Sequence, residues 1–321
     1  MKITKNRALF VIIAILFFYV GLAFYSDVQK IFEHFRSIKL ELVFLAFLLE
    51  GISLIIRSIR QQRFLSAIMI RLSFFENLKM YLAGMSMVST PGGIGGLIKS
   101  HFLKVKYNEN ISKTSTVVLL ERYHDLLAVT AILIFTLFIF FNWQFLVTAI
   151  VVGILAIIIY AVIRNTEFLS KFLIRMKKIK IFSRFTPNPE FNNSLKTLTK
   201  GRTIFVGFVI SIAAFLFDGA SVYVGFLSLN KDLGFVSTLQ YYYTSLLLGA
   251  LSFLPAGIGI TEGSFIGFLV SGGLELSLAS SLVLFSRLTT IWFATVIGFI
   301  ATHRITLKKT IIDDSTKKFF D

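Results

Sequence analysis

Residues 89–100 read Ser-Thr-Pro-Gly-Gly-Ile-Gly-Gly-Leu-Ile-Lys-Ser and interrupt an apolar segment that extends from residue 79 to residue 101. Proline cannot continue a helix, and glycine permits backbone conformations that other residues avoid. A second apolar segment, residues 241–270, is interrupted in the same way by Leu-Pro-Ala-Gly-Ile-Gly at 254–259. The sequence therefore predicts two broken, re-entrant helices.

The composition indicates an all-α integral membrane protein. Of the 321 residues, 55% are hydrophobic and 16% are charged, against about 25% charged in soluble domains, and the mean hydropathy is +0.79. A bilayer-spanning helix needs about 20 mostly apolar residues. We therefore predict about six transmembrane helices in addition to the two re-entrant segments. The six spans are residues 8–25, 42–56, 117–141, 145–163, 204–229 and 278–302.

The charge and cysteine counts exclude several functional classes. Cysteine is absent, which excludes disulfides, thiolate nucleophiles and Cys-ligated zinc, and the four His are scattered. We therefore expect no metal and no cofactor. The net charge is +16, and ten Lys or Arg lie in the segment 164–202. The positive-inside rule predicts that this segment and both termini are cytoplasmic in the cell membrane, so the charge reflects topology and contact with anionic lipids rather than nucleic acid.

The distribution of basic residues also constrains the two broken segments. The basic regions share one side if each broken segment returns to its starting face, or if both span together. We favour the return, because spanning by residues 79–101 would export Lys99 and the lysines that follow it. The first span follows Lys2, Lys5 and Arg7. Its apolar run of about 17 residues and the lack of a small-residue cleavage site favour a retained helix over a signal peptide.

An internal repeat relates the two halves of the chain. Pro91, Gly93, Ile94 and Gly95 match Pro255, Gly257, Ile258 and Gly259 at an offset of 164, and Glu50-Gly51 matches Asp218-Gly219 at an offset of 168. Three spans separate the broken segments, so the repeats have inverted topology, as in many secondary transporters. The chain is then one polytopic domain, residues 1–321, with repeat 1 at about 42–141, a basic connector at 164–203, repeat 2 at about 204–302 and a tail at 303–321.

The first broken segment is a candidate anion site. Its glycines let the backbone approach a ligand closely, and the helix that follows presents free N–H groups and a lysine. The alternative is a kink that only allows close helix packing. The motif is not a P-loop, because Ile98 stands where that motif requires glycine. The candidate headgroup ligands here are Pro91, Gly92, Gly93, Gly95, Gly96 and Lys99.

A second candidate is Glu-Arg-Tyr-His-Asp at residues 121–125. Glu121 and Asp125 share a helix face, and Arg122 lies between them. Each charge costs roughly 2.5 to 3.5 kcal/mol at the centre of a membrane helix, so three together predict an inward-facing polar cavity. The alternatives are a headgroup or proton site and a structural clasp, and His124 is interpreted as interfacial.

Four further charged residues belong to the candidate set. Glu262 either caps the helix that begins near Thr261, or pairs with Arg287, which lies well inside the last span, or binds a proton or a cation. Glu50 and Asp218 each lie beside glycine within a span and are expected to face the bundle.

Arg57, Arg60 and Arg63 form a ridge at the end of the second span. This ridge either reaches lipid phosphates from the membrane surface or lines a path for a headgroup.

These motifs resemble the lysylphosphatidylglycerol synthase transmembrane region family, also called flippase-like domain or UPF0104 membrane proteins. The resemblance covers about residues 37–304 and rests on Arg-Ser-Ile-Arg at 57–60, the motifs at 90–99 and 121–125, and Leu-Pro-Ala-Gly-Ile-Gly-Ile-Thr-Glu at 254–262. In larger members a cytosolic aminoacyl-transferase domain follows this region, which is held to move the aminoacylated lipid across the bilayer. About 17 polar residues follow the last span here, so the resemblance implies no synthase activity for this chain.

The leading hypothesis is translocation of an anionic lipid, either a phospholipid or a polyprenyl-phosphate carrier, without catalysis. Arg57, Arg60, Lys99 and Arg122 would receive the phosphate, with Arg287 as a counter-site. Carboxylates would hold these cations or exchange protons; the candidates are Glu121, Asp125, Glu262, Asp218 and Glu50. The sequence shows no ATP site, so movement would be passive or ion-coupled.

Two alternatives remain open, a polyprenyl-phosphate glycosyltransferase-related enzyme and a non-catalytic membrane subunit. The expected partners are membrane lipids, with a second copy of the chain or a separate lipid-synthesising enzyme as further candidates.

Overall fold

The computed structural model describes residues 28–87, 96–175 and 188–317. The first predicted span, residues 8–25, lies outside the described residues, as does most of the first Pro-Gly motif. The described ranges contain α-helices and short helical turns and no strand. The predicted all-α membrane fold is therefore confirmed. Five helical segments in the described ranges are long and apolar enough to cross a membrane: Leu40–Ala67, Ile111–Ile139, Trp143–Arg164, Gly201–Ser228 and Leu276–Ile305.

We number the helices in chain order within the described residues. A 3₁₀ turn, Pro255–Gly257, precedes α11, and a π turn, Leu288–Trp292, joins α12 to α13. The helices are α1 (Val28–Arg36), α2 (Leu40–Ala67), α3 (Phe74–Met85), α4 (Ile98–Tyr107), α5 (Ile111–Ile139), α6 (Trp143–Arg164), α7 (Thr166–Arg175), α8 (Pro189–Leu198), α9 (Gly201–Ser228), α10 (Phe235–Leu251), α11 (Ile260–Ser271), α12 (Leu276–Arg287) and α13 (Phe293–Lys317).

The most extensive interface in the described part of the chain joins α2 and α9. The two helices are antiparallel, because the Lys39 N–H donates to the Ser228 carbonyl at 2.9 Å while Arg60, near the other end of α2, contacts Ser211. These helices are equivalent in the predicted repeat, and equivalent helices of inverted repeats run antiparallel. The neighbours also correspond, since α3 packs on α13 and α10 packs on α5. The repeat itself stays a prediction with which this packing agrees.

Each broken segment forms an antiparallel helical hairpin. In the first hairpin, α3 and α4, Lys106 near the end of α4 pairs with Glu76 near the start of α3 at 2.8 Å. In the second hairpin, α10 and α11, the Tyr241 ring stacks on Phe268 with the ring centroids 6.3 Å apart. In each hairpin, the polypeptide therefore returns to the end of the bundle at which it started, as predicted for re-entrant segments.

The second predicted span, residues 42–56, is shorter than the helix in the structure, Leu40–Ala67. Helix α2 continues from residue 56 to Ala67, because Arg57 and Arg60 face carboxylates inside the bundle instead of terminating the helix at a water interface. The basic connector contains two helices, α7 and α8. Helix α8 begins where Asn188 accepts the Phe191 N–H at 2.9 Å and Pro189 occupies the first turn.

Large apolar side chains cover the outside of the bundle. A soluble protein rarely exposes so continuous an apolar surface, whereas a lipid-facing surface requires it. The strongly exposed examples on α5, α6 and α9 include Phe135, Phe138, Ile157 and Phe205.

Candidate functional site

A cavity of about 420 Å³ lies between α2, α5, α9, α10 and the π turn. Six charged residues from four different helices reach its wall, and most of the remaining wall is apolar. The first broken segment contributes Met85 to this wall, and the second contributes its break and the start of α11. The charged residues at the wall are Glu50, Arg57, Arg122, Asp125, Asp218 and Arg287.

The first charged group joins α2 to α9. Arg57 Nη2 donates to Asp218 Oδ1 at 2.8 Å, and its guanidinium lies 4.3 Å from the centroid of the Phe215 ring. The Tyr243 hydroxyl contacts the Phe215 carbonyl oxygen and lies 3.5 Å from Asp218 Oδ2. Glu50 is 2% exposed and lies against the Asp218 carboxyl. This group therefore contains two carboxyls and one guanidinium.

The second charged group is centred on Asp125. Arg60 Nη2 lies 2.7 Å from Asp125 Oδ1, and Arg122 Nη1 lies 3.4 Å from Asp125 Oδ2. Arg60 is buried and also donates to Ser211 Oγ at 2.6 Å, whereas the Arg122 side chain is 42% exposed. Because two guanidinium groups share one carboxylate, Arg122 remains available to an anion in the cavity. A Cβ at Gly96 would lie 3.6 Å from Arg122 Nη2, so this glycine allows the chain to pass close to the guanidinium.

The third charged group joins α11 to α12. Arg287 Nε donates to Glu262 Oε1 at 2.8 Å, and Arg287 Nη2 donates to the Ala256 carbonyl at 3.3 Å. Glu262 Oε2 accepts the Gly259 N–H at 2.7 Å. The two interpretations of Glu262, as a helix cap and as a partner of Arg287, are therefore both correct. Ala256 adopts a left-handed φ of 54°, which opens the backbone break at the cavity wall.

Other predicted site residues lie behind this wall or outside the described residues. Lys99 pairs with Glu121, and its ammonium lies 4.9 Å from the Tyr81 ring centroid, so this buried pair joins α4 to α5 away from the cavity. Arg60 and Glu262 contact the wall through their partners. The headgroup roles of these residues stay predictions. Pro91, Gly92, Gly93 and Gly95 lie outside the described residues.

Two sequence-based interpretations are corrected by the packing. Arg57 and Arg60 do not form a lipid-facing ridge, because both turn inward to carboxylates, while Arg63 is exposed. His124 is not interfacial. It is fully buried, with Nδ1 2.7 Å from the Leu120 carbonyl and Nε2 3.1 Å from the Ile204 carbonyl, because α5 is covered by α9 at this point.

The sequence interpretation missed several groups at the site. Tyr242, which lines the cavity, and Tyr243 belong to a run of three consecutive tyrosines in a helix without charged residues, and that run was a usable signal. Arg122 and Arg287 are 165 residues apart, close to the predicted repeat offset of 164, so the predicted repeat could have paired them. No local pattern indicates the cavity contribution of Thr290 in the π turn, although π turns often occur at functional sites.

The chemistry of the wall suits an amphipathic anion. Within residues 28–87, 96–175 and 188–317, no group of three or more His, Asp or Glu side chains could hold a metal ion. Guanidinium groups bind phosphate through paired, charge-assisted hydrogen bonds. The apolar part of the wall offers a path for hydrocarbon chains beside those groups.

Comparison with known proteins agrees with this architecture. The family model described as the lysylphosphatidylglycerol synthase TM region matches residues 10–298. A UPF0104 membrane protein of Methanocaldococcus jannaschii is 27% identical over 94% of this chain and 95% of its own length. A UPF0104 membrane protein of Pyrococcus horikoshii is 25% identical over 86% of this chain and 91% of its own length. The chain is a multi-pass membrane protein that belongs to the lysylphosphatidylglycerol synthase transmembrane region family.

Proposed function

We propose that this protein moves an anionic lipid between the two leaflets of the cell membrane. The observation that carries the proposal is the cavity of about 420 Å³ in which Arg57, Arg122 and Arg287 stand beside a mostly apolar wall. A lipid phosphate needs cationic donors, and its acyl or prenyl chains need apolar surface. The cavity supplies both within one space, and the family description itself includes the name of a phospholipid.

In this mechanism Arg122 receives the phosphate first, because it is the most exposed guanidinium of the site and makes the longest of the site's ion pairs, 3.4 Å to Asp125. Arg57 and Arg287 offer the next contacts, each held by a carboxylate. These fixed charges replace the hydration that a headgroup loses on leaving water, which a bare bilayer does not provide. Chains of the lipid would lie along residues such as Leu126, Val129 and Leu246.

The test is a leaflet-protection assay in proteoliposomes. Fluorescent phosphatidylglycerol, its zwitterionic phosphatidylcholine counterpart and a short polyprenyl phosphate are compared, each with and without an imposed pH gradient. Arg122→Ala is the test variant, and Arg63→Ala is the matched control, because Arg63 is exposed on α2 and does not reach the cavity.

Faster movement of one anionic lipid, lost in Arg122→Ala and kept in Arg63→Ala at equal folded protein, supports the proposal and identifies the lipid class. Absence of acceleration for every lipid would overturn it. That result would favour a lipid-modifying reaction or a role as a subunit of a membrane complex.

A further inference from the structure

The charges around the cavity balance only when every carboxyl is ionised. The four guanidinium groups are Arg57, Arg60, Arg122 and Arg287, and the four carboxyls are Glu50, Asp125, Asp218 and Glu262. A site with zero net charge has little reason to prefer an anion over a zwitterion. One additional proton would give the group a net charge of +1.

Glu50 is the carboxyl of this group that takes part in no ion pair with the described residues. Asp218 has Arg57, Glu262 has Arg287, and Asp125 has both Arg60 and Arg122, whereas Glu50 forms no ion pair with any described residue. Glu50 is 2% exposed, lines the cavity, and its Oε2 has no hydrogen-bond partner among the described residues. Its neighbour is another carboxyl, Asp218. A buried carboxyl in such surroundings is a place where a proton can be held and released.

Among the four carboxyls of this group, Glu50 alone lacks an ion pair with a described residue. Arg57 belongs to the same helix as Glu50, and the π turn packed against that helix carries no titratable side chain. The charged and titratable groups that face Glu50 and Arg57 from the packed elements are Tyr81 on α3, Arg122 and Asp125 on α5, Asp218 on α9, Tyr242 and Tyr243 on α10, and Arg287 on α12. Helix α8 also packs on α2 and carries Glu190 and Lys196.

We infer that Glu50 binds one proton together with each anionic ligand. The cavity therefore accepts a phosphate-bearing lipid when Glu50 is protonated and releases the lipid when Glu50 loses its proton. The proton comes from water on the loading side and returns to water on the unloading side. This inference rests on the proposed function and assigns its coupling ion. The location of Glu50 suits this role, because Glu50 and Asp218, its equivalent in the predicted repeat, lie together where the antiparallel helices α2 and α9 pack.

The test measures binding and proton uptake, independently of lipid movement. Purified protein in detergent is titrated with short-chain phosphatidylglycerol and, separately, with inorganic phosphate, between about pH 5 and about pH 9. We expect the affinity for the anion to fall about tenfold per pH unit above the titration point of Glu50, and one proton to be taken up per anion in weakly buffered solution. Binding of phosphatidylglycerol without binding of inorganic phosphate identifies the lipid as the ligand.

Glu50→Gln is expected to bind the anion at all pH values without taking up a proton. Glu41→Gln is the matched control, because Glu41 lies exposed in the first turn of the same helix. If Glu50→Gln does not fold, Asp218→Asn serves instead. That change leaves one cation in excess permanently and is also expected to abolish proton uptake.

Proton uptake that persists unchanged in Glu50→Gln, or wild-type binding that does not vary with pH, would overturn the inference. Proton-linked binding without translocation in vesicles would preserve it and overturn the proposed function. Failure of the wild-type protein to bind any anion at any pH would overturn both.

Discussion

The two helical hairpins are built alike but join the rest of the protein with opposite charges. The first hairpin presents a cation, Lys99, to Glu121 of the following span, and the second presents a carboxylate, Glu262, to Arg287 of its following span. Of these two pairs, only the second reaches the cavity, through Arg287. The same local design therefore places a buried ion pair away from the cavity in one half of the chain and at the candidate site in the other.

The largest expected effect comes from breaking the pair of the second hairpin. Arg287→Ala leaves Glu262, which is 0% exposed, as a buried carboxylate without its guanidinium. We expect a loss of about 3–5 kcal/mol in the free energy of unfolding, because an uncompensated buried charge is strongly destabilising. The measurement is the midpoint of thermal unfolding in detergent, monitored by tryptophan fluorescence.

Double variants separate structure from function in this comparison. Replacing both partners, as in Arg287→Met with Glu262→Gln, should recover most of the stability and leave lipid movement impaired. The matched pair, Lys99→Met with Glu121→Gln, should recover stability and keep lipid movement. Equal transport by the two double variants would contradict the division between a structural pair and a site pair.

The second-largest effect on stability is expected at Gly249 of the second hairpin, which is compared with Gly84, its equivalent in the predicted repeat. Gly84 and Gly249 are 165 residues apart in the sequence. A methyl group at Gly249 would overlap the Thr261 hydroxyl and come within 3.3 Å of the Gly257 backbone, whereas at Gly84 it would overlap the flexible Lys99 side chain.

Gly249→Ala should therefore lower the free energy of unfolding by about 1–3 kcal/mol, and Gly84→Ala by less. Thermal midpoints of the two variants, measured side by side, test the ranking. A larger loss for Gly84→Ala would show that the first hairpin is the less adaptable of the two.

Arg122→Ala should have a small effect on stability and a larger one on function. The side chain is 42% exposed and its contact with Asp125 is 3.4 Å, so the cost to stability should stay below about 1 kcal/mol. Loss of a charge-assisted contact to phosphate should slow lipid movement about tenfold or more. Measurement at equal amounts of folded protein is required, and a matching loss of stability and transport would favour a purely structural role.

The smallest effect is expected at the open end of the first hairpin. Lys106 Nζ donates a hydrogen bond to Glu76 Oε1 at 2.8 Å, and this contact, with the nearby Tyr107 side chain, holds the pKa of the Glu76 carboxyl below its ordinary value of 4.5. A depressed carboxyl pKa stabilises the fold above the unfolded-state value, and this contribution disappears as the pH falls through the folded-state value.

Glu76→Gln should lower the thermal midpoint slightly at neutral pH, by an amount equivalent to less than about 1 kcal/mol for so exposed a pair. The difference from the wild-type protein should shrink as the pH falls through the folded-state pKa of Glu76 and vanish in acid well below it, where the carboxyl is protonated. A constant difference at both pH values would show that the contribution of Glu76 is not electrostatic.

Much of the candidate site could be predicted because charged residues are rare in apolar spans. Glu50, Asp218 and Arg287 stand out for that reason alone, and all three reach the cavity. Lys99 stands out equally and does not reach it. The difference depends on which helix faces the side chain, and that information is not local. The end of α2 was misplaced for a related reason, since inward-facing arginines look in the sequence like a basic boundary.

The sequence by itself determined the membrane class, the two broken segments and the family, because span length, Pro-Gly breaks and motif order are local properties of the chain. Tertiary structure decided which charges pair and which face the cavity. Arg57 meets Asp218 across 161 residues, and Arg60 meets Asp125 between different helices. Such partners are selected by helix packing, because a buried charge is tolerated only where the fold brings an opposite charge within hydrogen-bond distance.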